Sequence, residues 1–267
     1  MSRFVDRVCL VTGSTGMAAS AARAIVAESG SVFVVSRTEA NVRALAGELG
    51  DQAAWANADL TDEGEVETAV AACVQRFGRI DALYEVAGIS GRRFGDGPIH
   101  EATLAGWRTV MDANATSLFL VARAVVRQML GQDPDADGQR GAILTMSSAL
   151  AQHPSAVHFA THAYAASKGA IEGLTRAMAA HYAPRGIRVN AIAPSLVATP
   201  MSTRAQSDPA ILAYLRQKQP LAGGPIEADA ITPVALHLLS RDARMVTGQV
   251  IEVDAGWSVS EPSPPGG

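Results

Sequence analysis

The chain has 267 residues, 48% of them hydrophobic, 18% charged, and a formal net charge of −4. That length and apolar content suit one domain with a large core. A mildly acidic balance without long runs of one sign excludes nucleic acid or an anionic membrane surface as the main partner.

In chain order, residues 1–6 lack the apolar stretch of a signal peptide, and no segment reads as the ~20 apolar residues that span a bilayer. Cys9 and Cys73 lie far apart and read as small buried apolar residues, so the expectation is a reduced, cytoplasmic setting. Short β-branched runs at 8–12, 31–36, 53–56, 82–86, 142–147, 188–192 and 250–253 predict strands. Between them, helix patterns fall at 18–29, 39–49, 62–77, 104–130, 165–182 and 227–240. This alternation predicts an α/β fold, a Rossmann-like doubly wound parallel sheet in a single domain over 1–260. Ligands of such sheets bind beyond the carboxyl ends of the strands. The polar stretch 131–140 reads as a surface loop, 200–225 as a mobile lid over the substrate in preference to an ordered connection, and 261–267 as a disordered tail.

The first strand runs directly into Gly13-Ser14-Thr15-Gly16-Met17. Glycines there let the backbone turn sharply, so that a pyrophosphate reaches the N–H groups of the following helix. A tight turn with no ligand is the alternative. The second strand ends at Ser36-Arg37, where an acid would bind a ribose 2′-hydroxyl. Arg37 matches a 2′-phosphate instead, which favours NADP(H), with NAD also admissible; a solvated arginine is the competing reading.

Tyr164 and Lys168 lie four residues apart, on one helix face. A phenol has an ordinary pKa of about 10, and a cation beside it favours the phenolate needed for proton exchange near neutrality. Ser147 and Ser148 close a strand at its carboxyl edge, where a hydroxyl can hold a substrate oxygen. Asn114 is an amide inside an apolar helix and needs buried partners.

Thr12-Gly13-x-x-Gly16, Asp59-Leu60, Ala87-Gly88, Asn114, Ser148, Tyr164-x-x-x-Lys168, Pro194 with Thr199, and Val253-Asp254-Ala255-Gly256 resemble the motif series of the classical short-chain dehydrogenases/reductases. They occur in the family's order along nearly the whole chain. The resemblance implies a tetrad of Asn114, Ser148, Tyr164 and Lys168. In it Tyr164 is the acid/base, Ser148 anchors the substrate oxygen, Lys168 holds the nicotinamide ribose and lowers the tyrosine pKa, and Asn114 supports a water relay. It further implies that Asp59 and Leu60 flank the adenine, Ala87 and Gly88 lie along the ribose, and Val197 and Thr199 reach the carboxamide.

The chain departs from the pattern in three places. The second glycine of the turn comes one residue early, with Ala18 or Ala19 in place of the third. Glu85-Val86 precede Ala87-Gly88 where asparagine is usual, and Ser195 follows Pro194 in place of glycine. His153, His158 and His162 lack a flanking carboxylate or cysteine, so no metal is expected. The expected activity is carbonyl–alcohol interconversion by hydride transfer. Non-redox epimerase or dehydratase chemistry, or a nucleotide-binding regulator, are the alternatives. The expected partner is a small carbonyl or alcohol substrate. Apolar residues on two long helices (Phe119, Val126, Met129, Leu174 and Met178) look too many for one face, and with the resemblance they predict a homotetramer.

Overall fold

The computed structural model describes residues 2–262. Glu261 and Pro262 carry no regular structure, and the rest of the expected tail lies outside the described residues. Seven strands, β1 (Val8–Thr12), β2 (Ser31–Ser36), β3 (Ala53–Asn57), β4 (Ala82–Glu85), β5 (Gly141–Met146), β6 (Ile187–Pro194) and β7 (Val250–Val253), form one parallel sheet. Its order is β3-β2-β1-β4-β5-β6-β7, so the sense in which strands are added reverses between β1 and β4. A crevice opens at such a switch point. The strands are nearly continuous apolar runs because both faces of the sheet are covered.

One face packs under α3 (Glu63–Phe77), α5 (Ser117–Leu130) and α6 (His162–Tyr182), with α4 (Leu104–Met111) set against α6. The other lies under α1 (Gly16–Ala27), α2 (Glu39–Leu49) and α9 (Ala228–Leu239). The fold class and single domain agree with the sequence reading.

Four expectations change. The helix expected over 104–130 is divided by a wide π turn at Asp112–Thr116. The stretch 200–225 contains helices α7 (Thr203–Ser207) and α8 (Pro209–Lys218), which pack with Ala149 and Trp257 around a small apolar cluster of their own. Val126, Met129 and Met178 are buried in the core, so of the apolar residues read as surplus only Phe119 stays well exposed, at 45%. Contrary to the sequence reading, Leu104–Leu130 is long and apolar enough to cross a membrane by length and composition. Its apolar side lies against the sheet, and 56% of the window is buried, as in the core helix of a globular domain.

Candidate active site

A cleft opens above the carboxyl ends of β4, β5 and β6. It brings together Met17, Gly88, Ser148, Tyr164, Lys168, Val197 and Thr199. Asn114 sits behind this wall, fully buried. Gly13, Ser14, Thr15, Ser36, Arg37, Asp59 and Leu60 lie beside it, past the ends of β1, β2 and β3.

Tyr164 stands in the first turn of α6. The carboxylate of Asp96 accepts from the backbone N–H groups of Ala163 at 2.9 Å and Tyr164 at 3.0 Å, anchoring the start of that helix. An acid is favourable there because those N–H groups have no partner within the helix. Ser147 donates to Glu172 at 2.8 Å, so its hydroxyl is engaged elsewhere. Ser148 lines the same cleft, and its hydroxyl opposes the upward push that burial gives the Tyr164 pKa.

Lys168 stands on the same side of the helix as the phenol. Its Nζ donates to the Met146 carbonyl at 2.7 Å and lies 5.6 Å from the centre of the Tyr164 ring. Burial holds the ammonium down to about 8, against the pull of Glu85.

Asn114 owes its place to the π turn. Its Oδ1 accepts from the Ile89 N–H at 2.8 Å, and its Nδ2 donates to the Ile89 carbonyl at 3.1 Å and to Ser167 Oγ at 3.0 Å. The amide thus clamps the strand-end segment that carries Gly88 to helix α6. Wide turns of this kind recur at functional sites because they re-aim a side chain.

Glu85 closes β4 just before Val86, which stands where the family carries asparagine. It is fully buried, Thr12 Oγ1 donates to its Oε1 at 3.5 Å, and its Oε2 has no partner among the described residues. Burial raises its pKa to about 7, opposed by Lys168 and then by the Thr12 hydrogen bond. Thr12 Oγ1 also accepts from the N–H groups of Val86 at 3.0 Å and Ala87 at 3.1 Å. Ser195, in place of glycine, donates to the Asp254 carbonyl at 2.9 Å.

The Gly-rich turn fits a dinucleotide. Gly13 and Gly16 have φ of +95° and +53°, and a Cβ on Gly16 would lie 2.8 Å from Thr199 Cγ2. Helix α1 begins without a side-chain cap and without an acid in its first turn, so its N–H groups are open to an anion. Ser14 and Ser36 hydroxyls meet at 2.9 Å, tying this turn to the end of β2, where Arg37 is exposed. Asp59 is held below the usual carboxylate range, first by the Thr61 N–H and last by the Arg37 charge.

The three histidines do not converge. His153 pairs with Glu252 at 2.7 Å, His158 stacks edge-on against Tyr214 at 5.1 Å, and His162 is exposed at the start of α6. Sequence reasoning missed Asp96, Arg92, Arg204 and Trp257. Only the closing Gly256-Trp257 carried a signal, because the other three come to the site through folding.

The family described as enoyl-(acyl carrier protein) reductase matches residues 11–258. Momilactone A synthase of Oryza sativa subsp. japonica is 35% identical over 96% of this chain and 92% of its own length. The 3-alpha-(or 20-beta)-hydroxysteroid dehydrogenase of Mycobacterium tuberculosis is 34% identical over 95% of this chain and 90% of its own. Among solved structures, 3-ketoacyl-(acyl-carrier-protein) reductase from Brucella melitensis, complexed with NADH, superimposes with a TM-score of 0.85 and 28% identity. That match covers 96% of this chain and 99% of the other. The chain belongs to the short-chain dehydrogenase/reductase family and is an oxidoreductase of that family.

Proposed function

We propose that this enzyme interconverts a secondary alcohol and a carbonyl with a nicotinamide cofactor, using Tyr164 as the acid/base. The observation that carries the reading is the meeting of Ser148, Tyr164 and Lys168 on one cleft beside the open start of α1. Gly13 to Met17, Ser36, Arg37, Asp59, Leu60, Ala87, Gly88, Val197 and Thr199 are the residues that would hold the cofactor, which when bound supplies or accepts the hydride. Ser148 holds the substrate oxygen and directs it to the phenol. Tyr164 gives its proton to that oxygen in reduction and takes it back in oxidation. Lys168 fixes the ribose side, and Asn114 holds the Gly88–Ile89 backbone behind it. The apolar cleft suits a bulky substrate, in keeping with the steroid dehydrogenase among the relatives.

Arg37 without an acid beside it on the strand end favours NADP(H) over NAD(H). Cys9 and Cys73, both free and buried, suit a cytoplasmic enzyme. The family resemblance supports a homotetramer through α5 and α6, where Phe119 is exposed beside Arg123. Light scattering that returned a monomer would refute that assembly. The activity is tested by following NADPH with a panel of ketones and analysing products. Steady consumption matched by alcohol supports the proposal. Product without net consumption points to epimerase or dehydratase chemistry, and binding without product to a regulator.

A further inference from the structure

Most of the cleft wall is apolar, with Ile89, Phe159, Leu196, Met201 and Trp257 prominent in it. Phe159 and Tyr214 both meet the Trp257 ring edge-on at 5.8 Å, which stiffens this wall. Two arginines stand at its exposed rim. Arg92 lies on the short turn Arg92–Phe94 after β4, and Arg204 lies on α7. The two segments are far apart in sequence, so the fold alone brings both cations to the cleft that holds Tyr164.

Among the described residues neither arginine forms an ion pair. Asp96 is the acid whose charge Arg92 feels, but its oxygens already accept from the Ala163 and Tyr164 N–H groups. One edge of the Arg92 guanidinium is fixed, because its Nη2 donates to the His158 carbonyl at 2.7 Å. Burial first, and then the charge of Arg204, hold the Arg92 pKa below its ordinary value. Both guanidiniums are exposed and screened by solvent, but two like charges on one cleft still favour a shared counter-charge. An anion between them removes the repulsion and gains charge-assisted hydrogen bonds from two planar forks.

We propose that Arg92 and Arg204 form an anion subsite for a carboxylate of the substrate, so that this enzyme acts on apolar ketones or alcohols carrying a carboxylate remote from the reacting carbon. The proposal rests on the alcohol–carbonyl reaction at Tyr164.

The test compares 4-acetylbenzoate with its neutral counterpart 4-acetylbenzamide. With the wild-type holoenzyme the acid should exceed the amide in kcat/KM by about tenfold or more. The Arg92→Gln/Arg204→Gln variant should bring that ratio to about one, and Arg204→Glu should invert it. A wild-type ratio near one, or a ratio unchanged in the double variant, overturns the subsite. Calorimetric titration of both compounds into the cofactor-saturated protein reads the subsite without turnover. Tighter binding of the acid, lost in the double variant, supports the subsite even if neither ketone is reduced; that absence of reduction would count against the reaction at Tyr164 alone. Equal binding of acid and amide overturns the subsite. NADPH titrated into the double variant should bind as it does to the wild type. A tenfold loss there would assign the arginines to the cofactor and overturn the proposal.

Discussion

Gly88→Ala tests whether the Asn114 clamp sets the geometry behind the cleft. A Cβ built on Gly88 would lie 2.9 Å from Asn114 Oδ1 and 3.7 Å from Lys168 Nζ. The first distance is too short, so one of the two groups must shift. Asn114 is held by its bonds to Ile89 N–H at 2.8 Å, the Ile89 carbonyl at 3.1 Å and Ser167 at 3.0 Å. Turning the amide away strands the Ile89 N–H, at about 1–3 kcal/mol for a buried donor without a partner. Alanine also restricts the unfolded chain, which returns about 0.4–1 kcal/mol. Gly88 is not among the glycines of positive φ, so no backbone strain is added. The balance is a loss of about 1–2 kcal/mol, which lowers the melting temperature by about 2–8 °C in a domain of this size. Circular dichroism melts of Gly88→Ala, beside NADPH titrations, make the measurement. Gly47→Ala is the counterpart of opposite sign. Gly47 is exposed in α2 with nothing within 4 Å of its Cβ position, and alanine there should stabilise by about 1 kcal/mol. A Gly88→Ala protein that melts at or above the wild type would refute the clamp.

The remaining predictions concern charge. Glu85 has its folded-state pKa raised by burial from 4.5 to about 7. Its contribution to stability is therefore full below the unfolded value and is lost as pH rises through about 7. Glu85→Gln cannot titrate, so its melting temperature should gain on the wild type between pH 5 and pH 7.5, both measured by scanning calorimetry. A gap that stays constant across that range would contradict the buried-acid account. Arg37→Ala should weaken NADPH binding by roughly 1.5–3 kcal/mol and leave NADH nearly unchanged; equal wild-type dissociation constants for the two cofactors would dispose of the NADP preference.

Much of this fold was legible because the strands are buried on both faces, so their apolar runs stand out between amphipathic helices. Tyr164 and Lys168 were legible because one helical turn relates them, and a fixed spacing carries that relation in sequence. The π turn was not, since Asp112–Thr116 continues the helical pattern and the extra residue is absorbed only to let Asn114 reach Ile89. Asp96 reads as a loop acid, and its role depends on where the start of α6 lands against it. Arg92 and Arg204 look like solvated charges in their own segments, and only the packing of α7 over the cleft sets them in one wall. The expected surplus of apolar surface failed because both helices bury more of their circumference than one face, with Met129 fully enclosed. The hold of the Met146 carbonyl on the Lys168 ammonium was not legible, because it depends on where β5 ends against α6.

The proton transfer assigned to Tyr164 is the centre of the account, and single-turnover and steady-state reduction of a ketone by Tyr164→Phe tests it most directly. The substitution removes the phenolic oxygen and leaves the ring that packs in the first turn of α6. Loss of a positioned general acid should lower kcat by about 10²–10⁴-fold, with NADPH binding and melting temperature close to the wild type. A variant that kept a tenth of the wild-type kcat, a change of only about 1.4 kcal/mol in the barrier, would contradict the assignment.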